Sequence, residues 1–318
     1  MMYFLSDDER KQLLRYYLPK ARELGVVDEL RGWNWHQPPL EPVYGSVLAL
    51  YEVAGKYCPS GRDVFLRRVQ GIKGEPNSAM IQGMVLHEVL ADLLVTAKRA
   101  IYLHGTEKYR AICEELEKYI PEKTSHFAGL TDSEAADLSR KVEILCSFEK
   151  ARVLSRLQEV LTRYPYIGED SLANLTIPVV VEQKLNGAFL GLSGNLSTDA
   201  FIFYEPMILD LKFGEPRDFH RLGTTGYALV MEAIYEFPVN LGCIIYGEFR
   251  GDRLIVKRDI HIISDELRQW FIEERDEKAR FVTEEIDPGL AEDCPATCPF
   301  YHVCCAEDGS ELLTSSIP

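Results

Sequence analysis

The sequence predicts an α/β fold, a mixed β-sheet decorated by helices, and three observations predict it. Residues 80–103 carry an apolar face at helical spacing, short β-branched and alternating runs follow from residue 176, and a second helical pattern interrupts those runs before they resume. Helix, strands, helix and strands in that order argue for one sheet covered by helices.

Taken in order, residues 1–57 read as a short charged helix followed by an aromatic, Pro-containing segment over 33–44. No long periodic run occurs there, so this segment is expected to be a strap over a core rather than a domain. In 80–103, Val85, Leu86, Val89, Leu90, Leu93, Leu94 and Ala97 share one face. Residues 107–164 are also helical, with a break at Pro121 and a loop through Gly129, and imply an inserted helical lobe over 104–170. Residues 176–184 form the first strand candidate, and 190–213 hold two more, separated near Tyr204-Glu205-Pro206. A helix over 218–236 stops before Pro238, and 241–248 with 254–263 make a hairpin around Gly251-Asp252. A last helix over 265–285 follows Ser264 as N-cap. The expected division is a strap over 1–57, a core over 58–306 and a tail over 307–318.

Composition narrows the function. With 318 residues, 46% hydrophobic and 27% charged, the chain is neither disordered, fibrous nor a small disulfide scaffold. No apolar run approaches the roughly 20 residues that span a bilayer. The N-terminus lacks an apolar signal core, so a cytoplasmic protein with no membrane partner is expected. A net charge of −15 excludes a uniformly basic nucleic-acid binder, but not an enzyme with a locally basic cleft.

The sharpest chemical signal is Asp199 with Asp210-Leu211-Lys212. Asp210 and Lys212 are two apart in a strand-like run, so both leave the same face. A reversal at Tyr204-Glu205 pairs residue 200 with 209 and sets Asp199 opposite Asp210. Like charges facing each other in a ladder are destabilising, unless a divalent cation such as Mg²⁺ or Mn²⁺ lies between them. That arrangement suits phosphodiester hydrolysis, with Lys212 orienting water or stabilising developing charge. The plain alternative is a solvated Asp-x-Lys pair. Glu182 adds an acid near the same edge, and His87 sits at the margin of its helix's apolar face beside the outward Glu88.

Cysteine placement is uneven. Cys113, Cys146 and Cys243 are scattered through apolar stretches and read as buried small hydrophobes, whereas Cys294, Cys298, Cys304 and Cys305 crowd together near the C-terminus and Cys58 stands alone. Cys58, Cys294, Cys298 and Cys304 supply four thiolates, and spacing alone suits a [4Fe–4S] cluster and Zn²⁺ equally. Cys305 competes for the last position, and His302 is a further zinc ligand candidate.

As a set, Gly83-Met84-Val85-Leu86-His87-Glu88, Val181-Glu182, residues 194–199, Ile208-Leu209-Asp210-Leu211-Lys212 and Tyr227-Ala228-Leu229 resemble the RecB-like nucleases of the PD-(D/E)XK superfamily. With the flanking cysteines, residues 55–306 look most like the CRISPR-associated iron–sulfur exonucleases of the adaptation stage, in their type I-A archaeal variant. The resemblance implies metal ligation by His87, Asp199, Asp210 and the Leu211 carbonyl, a catalytic Lys212 and a helix tyrosine at Tyr227. It also moves the cysteine site toward iron–sulfur. It implies a metal-dependent DNA exonuclease acting on single-stranded or frayed ends, with adaptation integrase proteins as partners. This sequence departs from the family in having Gly223 where a Gln is common, four residues before Tyr227. That feature favours the alternative of a non-catalytic DNA-binding or assembly subunit; a RecB/AddB-type repair nuclease is a third reading.

DNA contact needs a local basic track. Arg217 and Arg221, four apart and just downstream of Lys212, are the preferred phosphate contacts, with Arg62, Arg67 and Arg68 as further candidates. Trp33, Trp35 and Tyr44 are expected to pack on the core rather than to stack on bases.

Overall fold

The computed structural model describes residues 2–121, 129–202 and 205–305. Its centre is a five-stranded mixed sheet in sequence order, β1 (Val180–Leu185), β2 (Leu196–Ile202), β3 (Met207–Lys212), β4 (Leu241–Arg250) and β5 (Arg253–Ile262). The first three strands form an antiparallel meander, β3 and β4 run parallel, and β4 and β5 form the expected hairpin with Gly251 at φ +56°. The β2/β3 register is the one expected: Ala200 pairs with Leu209, Phe201 with Ile208 and Ile202 with Met207. Of the expected turn Tyr204-Glu205, Tyr204 lies outside the described residues, as does Phe203 before it.

Helices cover both faces. At the N-terminus α1 (Asp7–Gln12), closed by a Ser6/Glu9 capping box, passes through a π turn into α2 (Leu18–Leu24). Two short helices follow, α3 (Leu50–Ala54) and α4 (Arg62–Arg68). The long α5 (Ser78–His104) packs with α6 (Tyr109–Lys118), α7 (Asp132–Arg163) and α8 (Glu169–Thr176). The β3–β4 crossover is α9 (His220–Tyr235), against which α10 (Asp265–Thr283) lies; α11 (Tyr301–Cys304) is a single turn.

Strand alternation divides the core into two. Met207, Leu209 and Leu211 point to the layer built by Val85, Leu86, Val89 and Leu90 of α5 and by Leu145 and Val153 of α7. Ile208 and Phe201 point the other way, to Leu229 of α9, Phe271 of α10 and Leu40 of the strap. The buried guanidinium of Arg275 donates to the Leu40 carbonyl at 2.6 Å. Asp210 therefore leaves β3 on the face covered by α9.

Several details differ from expectation. Residues 176–179 are not strand, because α8 runs to Thr176 and Pro178 keeps Ile177 out of both helix and ladder. The helices α6–α8 share their core with α5 and the sheet. Helix α5 is 27 residues long and apolar enough, by length and composition, to cross a bilayer; half of its most apolar stretch is buried inside the protein. Cys146 and Cys243 are buried as expected, but Cys113 is only half-buried. Ser264 has the extended backbone of an N-cap without a side-chain capping bond.

Candidate active site

The β2/β3 pairing stops at Ala200–Leu209, one position short of Asp199 and Asp210. In place of a further rung, Asp199 Oδ2 accepts the Leu211 backbone N–H at 2.8 Å. The same oxygen faces His87 Nδ1 at 3.3 Å, which joins α5 to the sheet. Asp210 meets Lys212 from its own strand, with Nζ at 3.1 Å from Oδ1 and 2.9 Å from Oδ2. His87, Asp199, Asp210 and Lys212 thus come together, with the Leu211 N–H rather than the expected carbonyl making the backbone contact.

Electrostatics separates the two acids. Burial works against ionisation of Asp199, but His87, Lys212 and the Leu211 N–H together hold its carboxyl below the usual range. Burial, reinforced by the Asp199 charge, pushes the Asp210 carboxyl above its usual range in spite of Lys212. Burial opposes the charge on Lys212 as well, yet Asp210 and Asp199 hold its ammonium protonated well above the ordinary lysine value.

Glu182 and Tyr227 stand beside this group rather than in it. Glu182 lies across β1/β2 from Asp199 in register, with a left-handed φ of +53° that takes it out of the ladder. It accepts from Ser197 Oγ at 2.6 Å, while Tyr227 Oη donates to the Ser197 carbonyl at 2.5 Å. Tyr227 therefore fastens α9 onto β2 two residues from Asp199. Gly223 does face Asp210: a Cβ there would lie 3.9 Å from Oδ2, in ordinary contact.

The candidate arginines meet acids of their own. Arg217 precedes α9, so it does not share a helix face with Arg221. Arg221 is clamped by both oxygens of Asp259 at 2.8 and 2.9 Å. Arg62 pairs with Asp287, and Arg67 and Arg68 both pair with the buried Glu52. Of these five, Arg217 is the most open, its guanidinium only 3.8 Å from an exposed Glu215.

Folding also gathers the separated cysteines. Arg62, four residues after Cys58, donates to Cys304 Sγ at 3.6 Å, and Cys298 and Cys304 pack with Phe65, Leu66 and Phe300. Burial first, then Cys298 and the neighbouring thiols, push the Cys294 thiol up to about 12. Burial likewise raises Cys304, against Arg62 and with Cys298 and Cys58 adding to the rise. Cys305 is exposed, and its charge also acts on Cys294.

Among the described residues no three His, Cys, Asp or Glu side chains already stand in ligating geometry around one point. The donor chemistry nevertheless fits the expected groups. Asp210 Oδ2 is buried with no hydrogen bond beyond its ion contact to Lys212, a carboxylate oxygen with capacity left for an oxygen-seeking cation. Thiols that raise one another's pKa are those a thiophilic metal stabilises as thiolates.

Sequence reasoning missed a chain of rings beside Lys212. Tyr57 Oη lies 2.9 Å from His220 Nε2, and His220 Nδ1 lies 3.1 Å from Tyr246 Oη. Tyr246 is the β4 partner of Lys212. No spacing rule links residues so far apart. Tyr3 was missed too: burial, then the charges of Asp199 and Asp210, hold its hydroxyl protonated.

Comparison with known proteins places the chain in a family. The family profile described as CRISPR-associated exonuclease Csa1 matches residues 1–307. The chain belongs to the Csa1 family. It is 32% identical over 318 aligned positions to the CRISPR-associated exonuclease Csa1 of Saccharolobus solfataricus, covering 95% of this chain and 99% of that protein. It is 29% identical over 279 positions to the protein of the same description from Thermoproteus tenax, covering 88% of this chain and 91% of the relative. The Csa1 match includes Cys58, the acidic site and the C-terminal thiols, so every candidate residue named above lies within it.

Proposed function

We propose that the chain is a metal-dependent DNA exonuclease with a RecB-like PD-(D/E)XK core, trimming single-stranded or frayed ends for CRISPR spacer acquisition in the cytoplasm. The observation that carries this reading is the convergence of His87, Asp199 and Asp210 with Lys212 where the β2/β3 ladder ends. The printed descriptions of both relatives name an exonuclease.

His87, Asp199 and Asp210 would hold Mn²⁺ or Mg²⁺. When bound, such an ion polarises a phosphate and lowers the pKa of its water. The chain's own residues supply the rest. Lys212, its ammonium favoured by two carboxylates, would bind a phosphate oxygen and stabilise charge developing there or orient the attacking water. The Leu211 N–H and His87 fix the orientation of Asp199. Tyr227 sets the distance between α9 and β2, a positioning role. Arg217 is the open cation for phosphate binding.

The thiols of Cys58, Cys294, Cys298 and Cys304 would hold a [4Fe–4S] cluster that ties the segment before α4 to the C-terminus. Integrase proteins of adaptation are the expected partners. The test is release of nucleotides from DNA labelled at the 5′ or 3′ end, before and after chelation and with Mn²⁺ or Mg²⁺ restored. Metal-restored release from one end supports the reading; undiminished release in chelator, or no release under any condition, opposes it. Gly223 supports the second reading, a subunit that binds DNA without cutting it, and the last outcome with retained DNA binding would favour that one.

A further inference from the structure

Tyr57 combines exposure with restraint. Its side chain is 69% exposed, yet its hydroxyl is tied at 2.9 Å to His220, a residue only 5% exposed. Its ring meets Phe219 edge-on, with centroids 4.9 Å apart and planes at 84°. Phe219 in turn packs edge-on against His220, with centroids 5.0 Å apart. A surface tyrosine ordinarily samples several rotamers. Here the hydroxyl is bonded and the ring meets one neighbour, while most of the residue remains open to solvent.

The restrained ring stands next to the reacting groups. Through His220 it is bonded to Tyr246, which lies opposite Lys212 in the parallel β3/β4 register. The charges of Lys212, Asp210 and Arg217 all act on the Tyr57 hydroxyl. The open ring is thus joined to the strand neighbour of Lys212 through His220, whose backbone N–H bonds the carbonyl of the open Arg217 at 3.1 Å. That combination is what a strand end offers partners for: a base for the ring, and phosphates for the cations.

We propose that Tyr57 is a stacking platform for an unpaired nucleobase at the DNA end, held by Phe219 and His220, and that it makes the enzyme select single-stranded over blunt duplex ends. This rests on the exonuclease reading above and assigns its substrate preference to a residue outside the acidic site. A base inside a duplex has its faces covered by neighbours in the stack, so only an unpaired or frayed base can lie on the ring. The His220 bond and the Phe219 contact order the ring before substrate arrives, so less mobility is lost on binding.

The test uses full-length Asp210→Ala protein, so that binding is read without turnover, and oligonucleotides carrying 2-aminopurine at the 5′ or 3′ terminal position. Anisotropy reports binding, and quenching of the probe reports stacking. With Tyr57 present, quenching is expected on a single strand and not on a blunt duplex. Adding Tyr57→Ala should abolish the quenching and weaken single-strand binding about 5- to 100-fold, with duplex binding unchanged. Adding Tyr57→Trp should keep the quenching, which separates loss of the ring from loss of the fold. Binding with equal emission in the Tyr57 and Tyr57→Ala proteins would overturn the platform and leave the exonuclease reading standing. No binding of any oligonucleotide, by this protein or by the unsubstituted one, would overturn both.

Discussion

One oxygen of Asp199 serves two partners: Oδ2 accepts the Leu211 backbone N–H at 2.8 Å and faces His87 Nδ1 at 3.3 Å. The carboxylate thereby substitutes for a rung of the β2/β3 ladder and links α5 to the sheet. Its structural role and its proposed chemical one can be separated by substitution.

Asp199→Asn keeps an acceptor for the Leu211 N–H, whereas Asp199→Ala leaves that buried donor unpaired. The alanine variant is expected to lose on the order of 1–3 kcal/mol of stability, and the asparagine variant less. Both should lose cleavage, because both lose the charge. Denaturant titration and an end-labelled DNA assay on the same preparations check the two effects. Full activity in Asp199→Asn would show that its charge has no part in the chemistry.

How much of this was legible follows from what each feature depends on. Strands β2 to β5 and helices α5, α9 and α10 follow from periodicity, a local property, and the β2/β3 register was readable because a short reversal fixes it. Helix α8 was not, since its eight residues carry too few apolar repeats and Pro178 both ends it and delays β1. The acids were legible as a pattern within one hairpin. The fate of Arg221 was not, because its partner Asp259 comes from β5, after a complete helix and strand. The same holds for Tyr57, His220 and Tyr246, whose meeting is a product of tertiary packing alone.

The thiol site yields a prediction about metal. Anaerobically purified protein should be brown and carry about four irons per chain. Cys58→Ala and Cys298→Ala should each bleach the colour and lower thermal stability, because the bonds they remove join distant parts of the chain. Cys305→Ala should leave the colour, as Cys305 is exposed and Arg62 points to Cys304 instead. Cys113→Ala should leave it too. Colourless, folded protein with one zinc would contradict the iron–sulfur assignment.

Stability of the face covered by α9 rests on a fully buried ion pair. Glu232 of α9 accepts from Arg268 of α10 at 2.7 and 2.8 Å, from Arg31 at 2.8 Å and from the Gly32 backbone at 2.9 Å. Glu232→Ala strands two guanidinium groups and should cost about 3–5 kcal/mol. A drop in the urea midpoint equivalent to less than about 1 kcal/mol, the scale of an exposed pair, would contradict this.

His261 predicts a pH dependence. Burial, helped by Arg221 and opposed by the Asp259 carboxylate and carbonyl, depresses its pKa from an ordinary 6.5 to about 4. Its neutral ring bonds to Thr224 at 3.0 Å. The folded pKa lies below the unfolded one, so the unfolded chain binds the proton first. The contribution is complete above about pH 6.5 and is lost as pH falls toward 4, on the order of 3 kcal/mol in all. Denaturation curves between those limits should be steeper in pH for the unsubstituted protein than for His261→Gln; identical slopes would contradict the assignment.

Whether the acids at the end of the β2/β3 ladder cut DNA is decided at Asp210. The measurement is the initial rate of nucleotide release from end-labelled single-stranded DNA in Mn²⁺, for the unsubstituted protein and Asp210→Ala with matched circular dichroism. Loss of a ligand that supports several kcal/mol of charge stabilisation should slow release by at least about a hundredfold. Equal rates in the two proteins would contradict the account.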